Sequence, residues 1–183
     1  MIGSVLILSG PPGAGKSTVA AILARESASP AVHLHADDFY DRFIKSGYVL
    51  PWLVEAQAQN ATVANALAAA AFAYAQGGYW TIVDGIVEPW ALAAYRELAR
   101  TRSIALDYVV LRPKSADVAF ARVLQRATHG LKAEDVVREL HRQFSDIGAL
   151  ERHAFDSTPQ TADETARVLR GRLAKGEFRL ADA

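Results

Sequence analysis

Gly10-Pro11-Pro12-Gly13-Ala14-Gly15-Lys16-Ser17-Thr18 follows an apolar run, Val5-Leu6-Ile7-Leu8-Ser9, and opens into Val19-Ala20-Ala21-Ile22-Leu23-Ala24. Strand, glycine-rich turn and helix in that order fill the P-loop pattern G-x-x-x-x-G-K-[ST]. Each residue type has a physical reason. Gly10, Gly13 and Gly15 let the backbone turn tightly, so that its N–H groups, including those of Ala14 and its neighbours, point at a chain of phosphates. The helix that begins near Gly15 adds the positive end of its dipole. Lys16 has the reach for β- and γ-phosphates, and the Ser17 hydroxyl suits Mg²⁺. The stretch Gly10–Thr18 therefore implies a site for MgATP or a similar nucleoside triphosphate.

The rest of the chain fits such a site. Its 183 residues suit one domain over the whole length, 1–183, with a full hydrophobic core. Lys+Arg and Asp+Glu balance at 20 each, so no basic field points to nucleic acid or an anionic membrane surface. With no cysteine, disulfides, thiolate nucleophiles and cysteine-based zinc sites are excluded. The leading apolar run is too short for a signal peptide, and the alanine-rich segment 66–75 is too short to span a bilayer. A cytoplasmic location is the expectation.

Apolar runs ending in punctuation recur down the chain. Ala31–His35 reads as a second strand leading into Asp37 and Asp38; Tyr79–Gly85 reads as a third, ending at Asp84. Ile104–Leu111 and His153–Ser157 read as the fourth and fifth. Helices are expected over Lys16–Ala28, Val54–Gln76, Pro89–Thr101, Lys114–Ala127, Ala133–Phe144 and Thr161–Lys175, leaving Gly176–Ala183 as a tail. This alternation predicts an α/β fold of three layers, the P-loop NTPase fold, with a parallel sheet of about five strands and helices on both faces. Two stretches break it: residues 38–60 after the second strand, and residues 122–142 between the fourth and fifth.

With the P-loop, the acids at strand ends and these two insertions in place, the chain resembles the small P-loop kinases, in the manner of gluconate kinase, shikimate kinase and the chloramphenicol-phosphotransferase-like group. The resemblance implies an acceptor-binding insertion at 38–60 and a helical lid over ATP at 122–142. It implies that Asp37 takes the proton of the acceptor hydroxyl, and that Arg122 and Arg126 are lid arginines facing the phosphates. The acids stand adjacent, Asp37-Asp38, where the shikimate-kinase type has Asp-x-Asp.

Open α/β sheets bind ligands at the carboxyl ends of their strands, which is where Asp37, Asp38 and Asp84 fall. The same acids also suit helix or turn caps. Asp84 after Thr81-Ile82-Val83 has the form of an acid that helps hold Mg²⁺, through water or directly. Gly85 leaves room for a substrate beside the backbone. Asp38, Arg42, Trp52 and Glu88 complete a candidate acceptor site; Trp52 and Trp90 suit either a pocket wall or the core. Among the histidines only His35, two residues from Asp37, is a candidate for the pocket, and none has metal-ligand spacing.

The function expected is transfer of the γ-phosphate of MgATP to a hydroxyl of a small molecule such as a sugar acid, a polyol or an antibiotic, by a monomer or homodimer. The alternatives are a nucleoside or nucleotide kinase and a regulatory P-loop ATPase without an acceptor. A Ras-type GTPase would need Asn-Lys-x-Asp, and the only asparagines, Asn60 and Asn65, are not followed by lysine. An AAA-type motor would want an added helical domain, for which the chain is short.

Overall fold

Val5 and Ile7 alternate with Leu6 and Leu8 in β1 (Ser4–Ser9), and all four are fully buried. A strand buried on both faces needs helices above and below it, and that requirement sets the layers. The computed structural model describes residues 3–125 and 132–180. Besides β1, the sheet contains β2 (Ala31–His35), β3 (Trp80–Asp84), β4 (Leu106–Arg112) and β5 (Ala154–Asp156). All pairings are parallel and the order is β2-β3-β1-β4-β5. The helices are α1 (Lys16–Arg25), α2 (Ala36–Asp41), α3 (Gln57–Gln76), α4 (Leu92–Arg102), α5 (Ala116–Leu124), α6 (Glu134–Gln143) and α7 (Ala162–Ala174).

One face of the sheet packs Val5, Ile7, Val83 and Tyr108 against Leu67, Ala71 and Phe72 of α3 and Leu92 and Tyr95 of α4. The other packs Leu6, Leu8 and Val109 against Val19 and Leu23 of α1 and Ala166 and Leu169 of α7. The alanine-rich run expected to be a buried helix is α3, whose Ala68, Ala71 and Ala75 are fully buried. No helix among the described residues is long and apolar enough to cross a membrane.

Element bounds follow the sequence reading closely, with informative exceptions. The first helix stops at Arg25 rather than Ala28. Beyond it Ser29 N–H donates to Ser27 Oγ, a local bond that competes with helix. The first turns expected of the helices at Val54 and Pro89 are 3₁₀ turns, with α-helix beginning at Gln57 and Leu92.

The segment read as a tail is a correction. Phe178 is fully buried and Leu180 nearly so. Tyr108 N–H donates to the Phe178 carbonyl at 3.0 Å, and Leu180 N–H to the Leu106 carbonyl at 3.0 Å. The reason is geometric: β4 has seven residues and β5 only three, so β5 leaves the first half of β4 uncovered. An exposed edge invites pairing, and residues 178–180 close it in the antiparallel sense. The Phe178 ring lies under the Arg172 guanidinium, 4.4 Å from its centroid. Phe178→Ala should therefore cost about 3–5 kcal/mol in urea unfolding, the span for truncating a buried phenyl ring. A loss under about 1 kcal/mol would return the segment to a dispensable tail.

His153 supplies a pH dependence. It is fully buried just before β5. Its Nδ1–H donates to the Tyr108 carbonyl at 2.9 Å, while Nε2 accepts from Arg152 Nε–H at 3.1 Å. Burial, the largest influence, pulls its pKa down; the Tyr108 carbonyl opposes and the Arg152 charge assists. The folded state thus binds the proton less readily than the unfolded chain. Stability should be full above the unfolded value of about 6.5 and should fall as pH drops below it. The melting temperature is expected to drop between pH 7 and 5.5, with a smaller drop in His153→Asn; equal drops would contradict the assignment.

Candidate active site

Strand order brings the chemistry together. β1 lies between β3 and β4, and β3 lies between β1 and β2, so the loops after β1, β3 and β2 leave the sheet side by side. The glycine-rich turn 10–15 starts directly after β1 and ends at the first residue of α1, Lys16. Pro11, Pro12 and Ala14 are buried beneath it, while Ser17 and Thr18 are exposed at the start of α1. Gly13, at φ +80°, approaches α5 so closely that a Cβ would lie 2.1 Å from the Ala119 carbonyl oxygen; at Gly10 the Leu111 carbonyl is equally near. Lys16 Nζ folds back to donate to the carbonyls of Gly10 at 2.8 Å and Pro11 at 3.0 Å.

Ser17 Oγ donates to Asp84 Oδ2 at 2.5 Å, which ties the first turn of α1 to the end of β3. Asp84 Oδ1 is bonded to His33 Nε2 at 2.6 Å. Burial pushes the Asp84 carboxyl up, yet the hydrogen bonds from His33 and Ser17, helped by the neighbouring imidazoles, outweigh it and hold the group below the ordinary carboxylate range. Asp84 is therefore ionised at neutral pH. Among the described residues no group of three or more His, Asp or Glu is arranged as a metal cage. A hydroxyl and one buried carboxylate are hard oxygen donors that fit Mg²⁺, which keeps most of its shell in water and phosphate oxygens.

Asp37 and Asp38 lie in the first turn of α2, immediately beyond β2. Asp38 Oδ1 is engaged by Arg42 Nε at 2.8 Å, whereas Asp37 is open to solvent with His35 Nε2 at 3.8 Å. The same His35 nitrogen is 3.7 Å from Asp84 Oδ2, so His35 stands between the two acids. Tyr40, on the same helix, is pushed up to about 12 by burial first and then by the Asp37 charge.

The loop after β3 is stitched to the end of β1, one residue before the P-loop, and to β4. Ser9 Oγ donates to the Val87 carbonyl at 2.7 Å and accepts from Val87 N–H at 3.0 Å, and Tyr108 Oη donates to the same carbonyl at 2.8 Å. Gly85 sits against α2: a Cβ there would be 2.4 Å from the Cβ of Ala36. The glycine is required by this contact, and the space expected for a substrate is taken by Ala36. Glu88 accepts from the Trp90 indole N–H at 2.6 Å. Trp52 and Trp90 are both exposed rather than core residues, and both line a cavity of about 480 Å³.

Arg122, on α5, donates to the carbonyls of Ser157 and Thr158 at 3.1 and 3.2 Å, tying that helix to the loop after β5. Arg126 lies outside the described residues, as does the middle of the region expected to be a lid. His33 carries no functional signal in its local sequence. The signal that finds it is register: in the β2–β3 pair, His35 is opposite Asp84 and His33 opposite Ile82. Residues two apart on a strand share a face, so both imidazoles lie on the side of that acid.

Residues 5–147 match the family described as AAA domain. Among curated proteins none matches the chain. Solved structures share its fold along almost the whole length. The Mycobacterium tuberculosis APS kinase in complex with AMPPNP and APS is 21% identical at a TM-score of 0.69, over 94% of this chain and 98% of that one. A gluconokinase from Sinorhizobium meliloti is 20% identical at 0.65, over 96% and 93%. The shikimate kinase from Acinetobacter baumannii in complex with shikimate is 18% identical at 0.63, over 95% and 94%. The parallel sheet with helices on both sides is the P-loop kinase-like fold, in agreement with the family resemblance read from the P-loop and the strand-end acids.

Proposed function

We propose, because this chain belongs to the P-loop family described as AAA domain, that it transfers the γ-phosphoryl group of ATP to the hydroxyl of a small molecule. One observation carries the reading: His35 Nε2 stands 3.8 Å from Asp37 and 3.7 Å from Asp84, and Asp84 is bonded to Ser17 of the P-loop. This chain of contacts from a solvent-open carboxylate to the P-loop supports Asp37 as the proton acceptor in a reaction governed by positioning. The kinase folds that resemble it support the same reading.

In this account the backbone of residues 10–15 and Lys16 hold the phosphates. Ser17 and Asp84 would hold Mg²⁺, which when bound shields the phosphate charge; His33 fixes the Asp84 carboxylate through its other oxygen. Asp37 takes the proton of the attacking hydroxyl. The acceptor oxygen bonds to the γ-phosphorus as the bond to the β,γ-bridging oxygen breaks, and ADP leaves. Asp38 is occupied by Arg42, which favours Asp37 as the base. Arg126 keeps the lid role that the resemblance implies, closing on the phosphoryl group.

The test is mass spectrometry of a panel of hydroxylated acceptors after incubation with the chain and MgATP. The expected result is one acceptor gaining a single phosphoryl group in equal amount to the ADP formed. Phosphorylation confined to nucleosides or nucleotides would select the alternative kinase class. ATP consumption with every acceptor unmodified would replace the proposal with an ATPase.

A further inference from the structure

Two cavities on the described surface are lined by apolar and neutral side chains, beside charged groups of the candidate site such as Asp38 and Glu88. The Ser9–Val87 bonds anchor the loop after β3 to the last residue of β1, and Trp90 follows Val87 by three residues, a reach of at most about 11 Å. Trp90 lines the cavity of about 480 Å³ together with Trp52, Pro51, Leu53, Val54 and Asn60. Large apolar side chains stand open there: Val54 is 78% exposed, Trp90 59% and Trp52 44%. Their loop is nevertheless built. Gln59 both accepts from Val49 N–H at 2.9 Å and donates to its carbonyl at 2.7 Å, and Asn60 Nδ2 donates to the Pro51 carbonyl at 2.8 Å. Trp52 is thus presented by a segment tethered to α3 rather than by a loose end.

A second cavity of about 520 Å³ lies between α2 and α3, lined by Phe39, Phe43 and Ile44 of the helix that bears Asp37 and its extension. Among the described residues, no charged side chain lines either cavity. Arg42, the first residue after α2, is engaged by Asp38, the exposed Lys45 is not part of the lining, and the carboxylate bonded to the Trp90 indole, Glu88, is negative. An anionic acceptor would need arginine or lysine to replace its water, and unpaired burial of its charge is costly. Two indoles instead offer broad faces on which a flat ring gains contact and stacking.

We propose that the acceptor is an uncharged alcohol with a flat apolar body, seated against the indoles of Trp52 and Trp90. This rests on the kinase reading above and narrows it: of the acceptor classes expected from the sequence, sugar acids are set aside. The apolar body occupies the cavity while the hydroxyl reaches toward Asp37.

The experiment is calorimetric titration of the full chain with 3-phenoxy-1,2-propanediol and, separately, with D-gluconate, followed by mass analysis of each after addition of MgATP. The aryl diol is expected to bind at least tenfold tighter than gluconate. Trp52→Ala and Trp90→Ala should each weaken it about threefold to tenfold, with Trp90→Phe recovering most of the loss; the exposure of both sites keeps the fold intact, as circular dichroism checks. Gluconate binding as tightly as the aryl diol, or aryl diol binding unmoved by both alanine variants, would overturn the proposal. The two readings fail separately. Aryl diol binding that depends on the indoles, with no alcohol ever phosphorylated, upholds the pocket and removes the kinase. Phosphorylated gluconate with no aryl diol binding upholds the kinase and removes the pocket.

Discussion

Asp37→Asn should lower the rate of phosphoryl transfer by roughly 10²–10⁴-fold, the span for losing a general base, and leave nucleotide affinity nearly unchanged. The asparagine keeps the shape and removes only the site that accepts the proton. Asp37 is suited to the task by what it lacks as well as by where it stands. It is exposed at the first turn after β2, whereas Asp38 is held by Arg42 at 2.8 Å. Asp38→Asn should therefore cost much less, releasing Arg42 without touching the acceptor. Steady-state rates beside calorimetric nucleotide affinities check both; near wild-type turnover in Asp37→Asn would remove that residue from the mechanism.

Gly13→Ala should be among the most damaging substitutions in the phosphate cradle. The added methyl carbon would sit 2.1 Å from the Ala119 carbonyl oxygen, and the backbone at φ +80° is strained for any residue with a Cβ. Neither atom is the end of a flexible side chain, so the turn or α5 must move. The expected loss is at least about 2 kcal/mol in stability, from strain and overpacking together, with nucleotide affinity reduced more than tenfold. Gly15→Ala is the control. It shares a positive φ of +91° but meets nothing within 4 Å, so its stability loss should be clearly smaller. Equal losses by urea unfolding would show that backbone strain alone, not the contact with α5, demands the glycine.

What could be read from the sequence divides along local and non-local lines. β1, the glycine-rich turn and the start of α1 are one continuous segment, and the types of residue at fixed spacing carry the whole signal. β2 likewise coincides with its expected bounds, because Ser29-Pro30 punctuates one end and Asp37-Asp38 the other. His33 was not legible in the same way. Its bond to Asp84 joins residues 51 apart, and depends on which strand β2 adopts as its neighbour. Residues 178–180 illustrate the same limit: nothing local marks them as an antiparallel cover for β4, a role created by the shortness of β5. Gly85 in the sequence suggests room for substrate, yet its reason is the Cβ of Ala36, apparent only once α2 lies beside the end of β3. The cavity walled by Trp52 and Trp90 likewise unites residues 38 positions apart.

Asp84 is buried and Asp37 is not, in keeping with their different tasks. Asp84 must hold a fixed place between Ser17 and His33, and burial with two hydrogen bonds gives it one orientation. Asp37 must meet a molecule that arrives from solvent, and an exposed carboxylate at a helix start can do so.

The most direct measurement is ADP release from MgATP by the wild-type chain and by Asp37→Asn, each with and without hydroxylated acceptors. The account predicts slow release alone, since a kinase site excludes water as the acceptor. It predicts faster release with the right alcohol, and loss of that gain by a hundredfold or more in the variant. Rapid release that ignores every acceptor and is the same in Asp37→Asn would contradict it.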